Sequence, residues 1–424
     1  MEQAAVLTAA NLAVRALGFA LRIWYARAMG AEAMGVLELA TSAHMLWIAP
    51  VTSGLPMAVS RLVAQRRDAG DARGSLRVLA SARRLALRAC AWLFPPLLLA
   101  SPWIAQLLGD ARTLPALWAY LPCLPILGLS AVYNGYCYGM GNTLPPALSE
   151  LAEQALRFAF SAALLYGLHN VTTAWRAAFP ALATLAGEGL GLLLVLWMLR
   201  VPGDAPDAHI SRTLFRLALP MTLMRLCNTA MRTLSAILIP LRLQTSGLTA
   251  AEATARLGMF HGMAMPLMMM PSICTGALAM VAAPAIAANQ RKPAALRRLF
   301  ARMFGAALAL SLASTAAICL AAAPAARYLY RQPDLLPLLR GLSPMAAIFG
   351  MQQVAGAMLA GLGLQRKGLT ASLAGAAVTL ALTWVLTAMP GLRLMGSGWA
   401  MIAGQGCTLL LTLLALAPAV SGHR

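Results

Sequence analysis

Residues 11–30, NLAVRALGFALRIWYARAMG, decide how this chain is read. The segment is long and apolar enough to cross a bilayer as a helix, yet it carries Arg15 and Arg22, seven positions apart. Seven residues are two helical turns, so the two side chains share one face, about 10.5 Å apart along the axis. Asn11 and Gly18 extend that face. A guanidinium is costly in hydrocarbon, and such residues usually face a bundle interior or a water-filled cavity. Snorkelling to the interface is the competing reading for Arg22, which stands near Arg27. It suits Arg15, near mid-helix, less well.

The rest of the chain has the same character. Hydrophobic residues make up 60% of the 424, and runs of about 20 apolar residues recur throughout, each able to span a membrane. The sequence predicts an all-α polytopic membrane protein with about twelve spans, at 4–26, 36–64, 80–108, 114–139, 144–168, 176–199, 214–240, 257–288, 300–324, 335–361, 368–389 and 396–418. The proline-containing stretches FPPLLLASP (94–102) and MPLMMMP (265–271) fall inside spans, where neighbouring helices can re-satisfy the backbone. The first run lacks a basic leader and reads as a retained helix, not a cleaved signal.

A net charge of +20 could suggest nucleic acid, but the arginines sit in short loops between apolar runs. This is the positive-inside pattern of a cytoplasmic (inner) membrane protein. Basic clusters follow the second span (Arg66, Arg67, Arg73, Arg77, Arg83, Arg84), the eighth (Arg291, Lys292, Arg297, Arg298, Arg302) and the tenth (Arg366, Lys367), which puts both termini in the cytoplasm. Arg73, Arg77, Arg84 and Arg88 fall near one helical face, suited to anionic lipid headgroups or simply to topology. The seven cysteines are scattered without a CxxC pair and read as small buried hydrophobes. No metal site or cofactor is expected.

An internal repeat organises the chain. SGLPMAV (53–59) matches TGALAMV (275–281), Leu114-Pro115 matches Leu336-Pro337, and GMG (139–141) matches GLG (361–363), all at an offset of 222 residues. AGEGLGLLL (186–194) matches AGQGCTLLL (403–411) at an offset of 217. The expectation is an N-terminal six-helix lobe at 1–200, a cytoplasmic linker at 201–213 and a C-terminal six-helix lobe at 214–424. Six is even, so a pseudo-twofold along the membrane normal relates the lobes.

The second half opens with RLCNTAMR (225–232), in which Arg225 and Arg232 repeat the seven-residue spacing at an offset of 210. Asn228 and Thr229 lie beside that face. Four guanidiniums lining a central cavity suit an anion, and arginine pairs with phosphate through two parallel hydrogen bonds. Every Asp falls in a loop, and among the Glu only Glu38 and Glu188 lie clearly inside spans, with Glu150 and Glu153 near the start of the fifth. Glu188 reads equally as a partner for an interior arginine or as a proton or sodium coupling site. His44, His261 and the run MAMPLMMMP (263–271) read first as packing, the methionines also as a surface adaptable to a greasy chain.

RALGFALRIWYARAMGAEAMGVLELA (15–40), followed by SGLPMAVSRLVAQ (53–65), resembles the opening of the stage V sporulation protein B-like and polysaccharide flippases. These belong to the multidrug/oligosaccharidyl-lipid/polysaccharide exporter superfamily. The turn RAMGAEAMG (27–35) and the run GLPMAVSRLVA (54–64) carry most of the resemblance, and the remainder agrees in span count and two-lobe layout. It implies a flippase that moves an undecaprenyl-pyrophosphate-linked saccharide or peptidoglycan precursor across the membrane by alternating access. In the related lipid II flippases, arginines of the first two helices and of the second lobe line a cationic cavity. Arg15, Arg22 and Arg61 correspond by position, and Arg225 and Arg232 by lobe. Those flippases have two further C-terminal helices proposed to hold the lipid tail; the last span here is expected to end near residue 418.

The preferred expectation is therefore a flippase for a lipid-linked anionic glycan, with anionic lipids at the cytoplasmic face and glycan-synthesis enzymes as possible partners. A cation-coupled multidrug antiporter would depend on Glu38 or Glu188 and tolerate loss of Arg15. A glycan ligase or polymerase is disfavoured by the small outer loop at 241–256, whose charges are Arg242, Glu252 and Arg256. A non-transporting scaffold would leave the paired arginines unexplained. No GxxxxGK[ST] occurs, which argues against direct use of ATP.

Overall fold

The computed structural model describes residues 2–168, 170–270, 272–290, 293–389 and 391–421. Arg291, Lys292 and the side chain of Asn11 lie outside the described residues. Regular structure among them is helical, and each of the twelve apolar stretches falls on a helix or on consecutive helices. Six helices are long and apolar enough to cross a membrane, and up to nine spans result if each bent pair counts as one. The first two expected spans fall together in one continuous stretch, Ala13–Asp68, and charged side chains interrupt others, as with Glu150, Glu153 and Arg157 on α6 (Leu144–Gly167).

α1 (Glu2–Thr52) is interrupted at Gly30, whose φ of 80° and ψ of 172° belong to a region open essentially to glycine alone. A straight helix would hold Arg22 and Glu38 about 24 Å apart. They form an ion pair instead, so the chain turns at Gly30. Arg112, on the short helical turn Ala111–Thr113, clamps this bend by pairing with both Glu32 and Asp110.

The second expected span is divided. α2 (Gly54–Asp68) starts afresh because Pro56 has no N–H to offer the carbonyl of Thr52. The Gly54 amide instead donates to Thr222 Oγ1 at 3.2 Å, and a Cβ at Gly54 would overlap the carbonyl of Ala218. α3 (Ala72–Leu107) runs unbroken through Pro95, Pro96 and Pro102. Pro102 cannot donate to the carbonyl of Leu98, and the Ser101 hydroxyl does so at 2.7 Å.

α4 (Leu114–Tyr120), α5 (Cys123–Gly139), α6, α7 (Thr173–Leu199) and α8 (Ala208–Thr245) follow. A core of Val59, Val63, Val78, Val132, Val195 and Leu214 ties α2, α3, α5, α7 and α8 together. The chain divides into two compact units, Met1–Thr233 and Leu234–Arg424, with the division inside α8. Stretch 201–213 is part loop and part helix, because the Asp207 carboxylate accepts from His209 N at 2.7 Å and starts α8 there.

The second unit repeats the first. After the end of α8 it comprises α9 (Ala250–Leu257), a π-helical turn at Gly258–Ala264, α10 (Met265–Met269), α11 (Ser272–Asn289) and α12 (Pro293–Pro324). α13 (Leu335–Leu342), α14 (Pro344–Gly361), α15 (Gln365–Leu386) and α16 (Arg393–Ser421) complete it. The helical segments before and after Pro122 bend by 42°, and those around Pro344, 222 residues later, bend by the same 42°. Gly141 and Gly363 end α5 and α14 with the same φ of 74°. Each is followed by an amide that reaches back to the last helical turn, Asn142 N to Cys137 O at 2.9 Å and Leu364 N to Leu359 O at 3.0 Å.

Candidate functional site

On α1, residues 15, 18, 22 and 25 share one face, and that face meets α6. A Cβ on Gly18 would lie 4.0 Å from Gln154 Oε1, and the Tyr25 and Ser161 hydroxyls share a 2.6 Å hydrogen bond. Trp24 packs its ring 5.3 Å from that of Phe158. Arg22 pairs with Glu38 on the second arm of α1. Arg15, two turns before Arg22, is exposed and has no carboxylate partner among the described residues.

The tightest ionic cluster joins α6 and α7. Arg157 pairs with Glu153, one turn before it, and reaches Glu188 at 3.3 Å. All three side chains are at most 19% exposed. In the sequence Glu153 stands out only by its position, and Arg157 does not stand out as a site residue. The available signal was the i, i+4 spacing of an acid and a base in LAEQALRF (151–158), which places them on one face. Gly187 lets α7 approach: a Cβ there would lie 3.0 Å from the Glu153 carbonyl. Arg157 Nε and Gln154 Oε1 are buried without hydrogen-bond partners. Glu188 is thus brought to Arg157, while Glu38 is brought to Arg22.

Arg61 is exposed on α2, on the side opposite the buried Val59 and Val63. Arg225 and Arg232 are exposed on the stretch of α8 that runs between two anchors. Thr222 receives the Gly54 amide, and the Thr233 hydroxyl donates to the carbonyl of Ser42 at 2.9 Å. This stretch therefore runs antiparallel to residues 42–54. Arg61, Arg225 and Arg232 have no carboxylate partner among the described residues.

His44 is buried and stacks on Tyr120, ring centroids 4.1 Å apart. His261 sits on the π-helical turn, where Phe260 and Met263 are fully buried, as is Met268 on α10, so this part of the methionine run is core. Among the described residues no three His, Cys, Asp or Glu side chains converge as a metal site would need.

The model of the family described as polysaccharide biosynthesis protein matches residues 1–290. The chain belongs to that family. Stage V sporulation protein B of Bacillus subtilis (strain 168), a curated relative, is 28% identical over 429 residues, covering 96% of this chain and 81% of its own. Among solved structures, the inward-facing form of a multidrug resistance MATE family transporter of the MOP superfamily superposes with a TM-score of 0.80. It is 19% identical and covers 98% of each chain. A MOP superfamily transporter from Pyrococcus furiosus, described by the reverse polarity of its binding pocket, superposes with a TM-score of 0.67. It is 19% identical, over 98% of this chain and 94% of its own. The fold of this polysaccharide biosynthesis family member is thus the one shared by these solved transporters.

Proposed function

We propose that the protein is a flippase that carries a lipid-linked diphosphate saccharide outward across the cytoplasmic membrane by alternating access, with both termini cytoplasmic and residues 1–200 and 214–424 as its lobes. One observation carries the reading. Both acids expected inside the spans are already paired with arginine, Glu38 with Arg22 and Glu188 with Arg157, while Arg15, Arg61, Arg225 and Arg232 face no carboxylate among the described residues. A cationic drug would have to compete with a guanidinium at either acid. A diphosphate meets guanidiniums that are free to grip it in bidentate fashion. The family's role in polysaccharide biosynthesis agrees with a glycan carried on such a lipid, and glycan-synthesis enzymes are the natural suppliers.

Glu188 balances the charge of Arg157, and a second role follows from the count. Two carboxylates against one guanidinium leave one negative charge over, which a proton or a small cation can neutralise. That makes Glu153 and Glu188 the proposed coupling pair.

The test uses purified protein in liposomes and a fluorescent polyprenyl-diphosphate saccharide. Wild type is expected to move it, and Arg15→Ala/Arg232→Ala to lose about tenfold or more of the rate, since each charged hydrogen bond contributes about 1.5–3 kcal/mol. Undiminished movement by an equally well folded double variant would assign the arginines a structural role.

A further inference from the structure

Outside the candidate site, one groove combines charge and grease in a graded order. It runs along the exposed face of α3. At the end nearer the loop, a depression of about 450 Å³ is lined by Arg83, Arg84, Leu87, Arg88 and Pro206. A second depression, sharing Ala91 with the first, continues it past Trp92, Pro95 and Pro96. The loop that forms its wall is fastened to α3: Ser81 Oγ accepts from Asp207 N at 2.9 Å and donates to Asp207 O at 3.3 Å.

The charges at this end are unbalanced. Asp204, an acid of the adjoining loop, pairs with Arg77 at 3.9 Å. Asp207 is occupied with the start of α8. Arg83, Arg84 and Arg88 have no carboxylate partner among the described residues. Further along the same face the exposed residues turn apolar, with Trp92 82% exposed, Leu99 74% and Trp103 68%. From Arg84 to Trp103 the helix rises about 28 Å, close to the roughly 30 Å of a bilayer's hydrocarbon.

We propose that this groove seats the lipid end of the substrate, a single-chain polyprenyl diphosphate, before or after its passage through the transporter. Three guanidiniums match the two to three negative charges of a diphosphate better than the single charge of a phospholipid diester. Arginine's planar fork suits its paired oxygens. The tail lies along the Trp92–Trp103 face. The occupant rests on the flippase reading; the groove and its charge do not.

The experiment photo-crosslinks a diazirine-bearing polyprenyl diphosphate to the full chain in phosphatidylcholine nanodiscs and maps the labelled peptide. Label is expected on residues 84–103. Unlabelled polyprenyl diphosphate should displace it at a concentration about tenfold or more below that needed of phosphatidylglycerol. Arg84→Ala/Arg88→Ala should cut labelling by about tenfold, and Arg84→Lys/Arg88→Lys, which keeps the charge but not the fork, should lose less. Arg15→Ala/Arg232→Ala should leave the α3 label in place. Equal displacement by phosphatidylglycerol would make this a general anionic-lipid surface and overturn the proposal, as would labelling indifferent to Arg84 and Arg88 in protein with wild-type thermal stability. Failed translocation in liposomes with the α3 label intact sinks the flippase reading alone. Translocation without α3 label sinks the groove alone.

Discussion

The helix pair α6–α7 and its repeat α15–α16 share a construction but not a chemistry. Gly187 on α7 comes up against the carbonyl of Glu153 on α6. Gly404 on α16, at the 217 offset, comes up against the carbonyl of Gly375 on α15, at the 222 offset. The backbone approach is the same device twice. The side chains around it are not: Glu153, Arg157 and Glu188 in the first unit stand where Gly375, Thr379 and Gln405 stand in the second. The second pair is closed by small residues. Thr379 and Thr408 return their hydroxyls to their own helices, onto Gly375 O at 2.9 Å and Gly404 O at 3.1 Å, and the backbones pack closely as small-residue membrane interfaces do. Packing alone therefore suffices to hold this helix pair. The ionic trio in the first unit is surplus to architecture, which is why we assign it to coupling.

The largest effect should come from unbalancing that trio. Arg157→Leu leaves two buried carboxylates without their cation and is expected to destabilise the protein by about 3–5 kcal/mol, read as a drop in the thermal unfolding temperature in detergent. Adding Glu153→Gln and Glu188→Gln should recover much of the loss. A single variant as stable as wild type would mean that the cluster is open to water and that the contrast with α15–α16 is superficial.

The glycines sharpen the comparison. A Cβ at Gly404 would sit 2.5 Å from Gly375 O, and one at Gly187 would sit 3.0 Å from Glu153 O. Gly404→Ala should therefore cost about 1–3 kcal/mol by overpacking, and Gly187→Ala distinctly less, in the same unfolding measurement. The reverse order would show that the ionic pair is the more tightly closed.

Glu188→Gln converts the first pair towards the second, where Gln405 occupies the site. It removes a charge and keeps the shape. We expect stability near wild type, with the pH dependence of translocation flattened. A retained pH profile would move coupling away from Glu188.

The smallest effect concerns the loop before α3. Asp71 caps that helix, and its carboxyl is held below the ordinary range chiefly by the Gly74 amide, with Arg66 beside it. A depressed carboxylate stabilises above its unfolded pKa, and the contribution is lost as pH falls through the folded value. Asp71→Asn should keep the cap and remove this acid-side loss in unfolding scans at pH 3 to 7. The second unit has Pro293 at the offset position, so no matching titration is expected from the start of α12.

The architecture was open to reading because it is periodic. Each apolar stretch is local, and the repeat landmarks mark real backbone events: GMG and GLG end helices at Gly141 and Gly363. Gly109 and Arg331, also 222 apart, both adopt positive φ, 82° and 54°, although only one of them is a glycine. The break at Ser53 was hidden because it depends on Pro56 together with an approach by α8 from 168 residues away, as in the Gly54–Thr222 bond. The site was half legible. The Arg-x6-Arg spacing is a one-helix pattern and could be seen. The trio is not, since Arg157 and Glu188 meet only when α6 and α7 pack, and a charged turn at the start of an apolar run looks like an ordinary helix entry.

The most direct measurement offers one preparation of liposomes two cargoes, a polyprenyl-diphosphate saccharide and a cationic dye. The account predicts that wild type moves the diphosphate and leaves the dye, and that Arg15→Ala/Arg232→Ala slows the movement about tenfold or more. Transport of the dye that survives the arginine variant and disappears with Glu188→Gln would contradict it, and would make the protein a cation antiporter on the same fold.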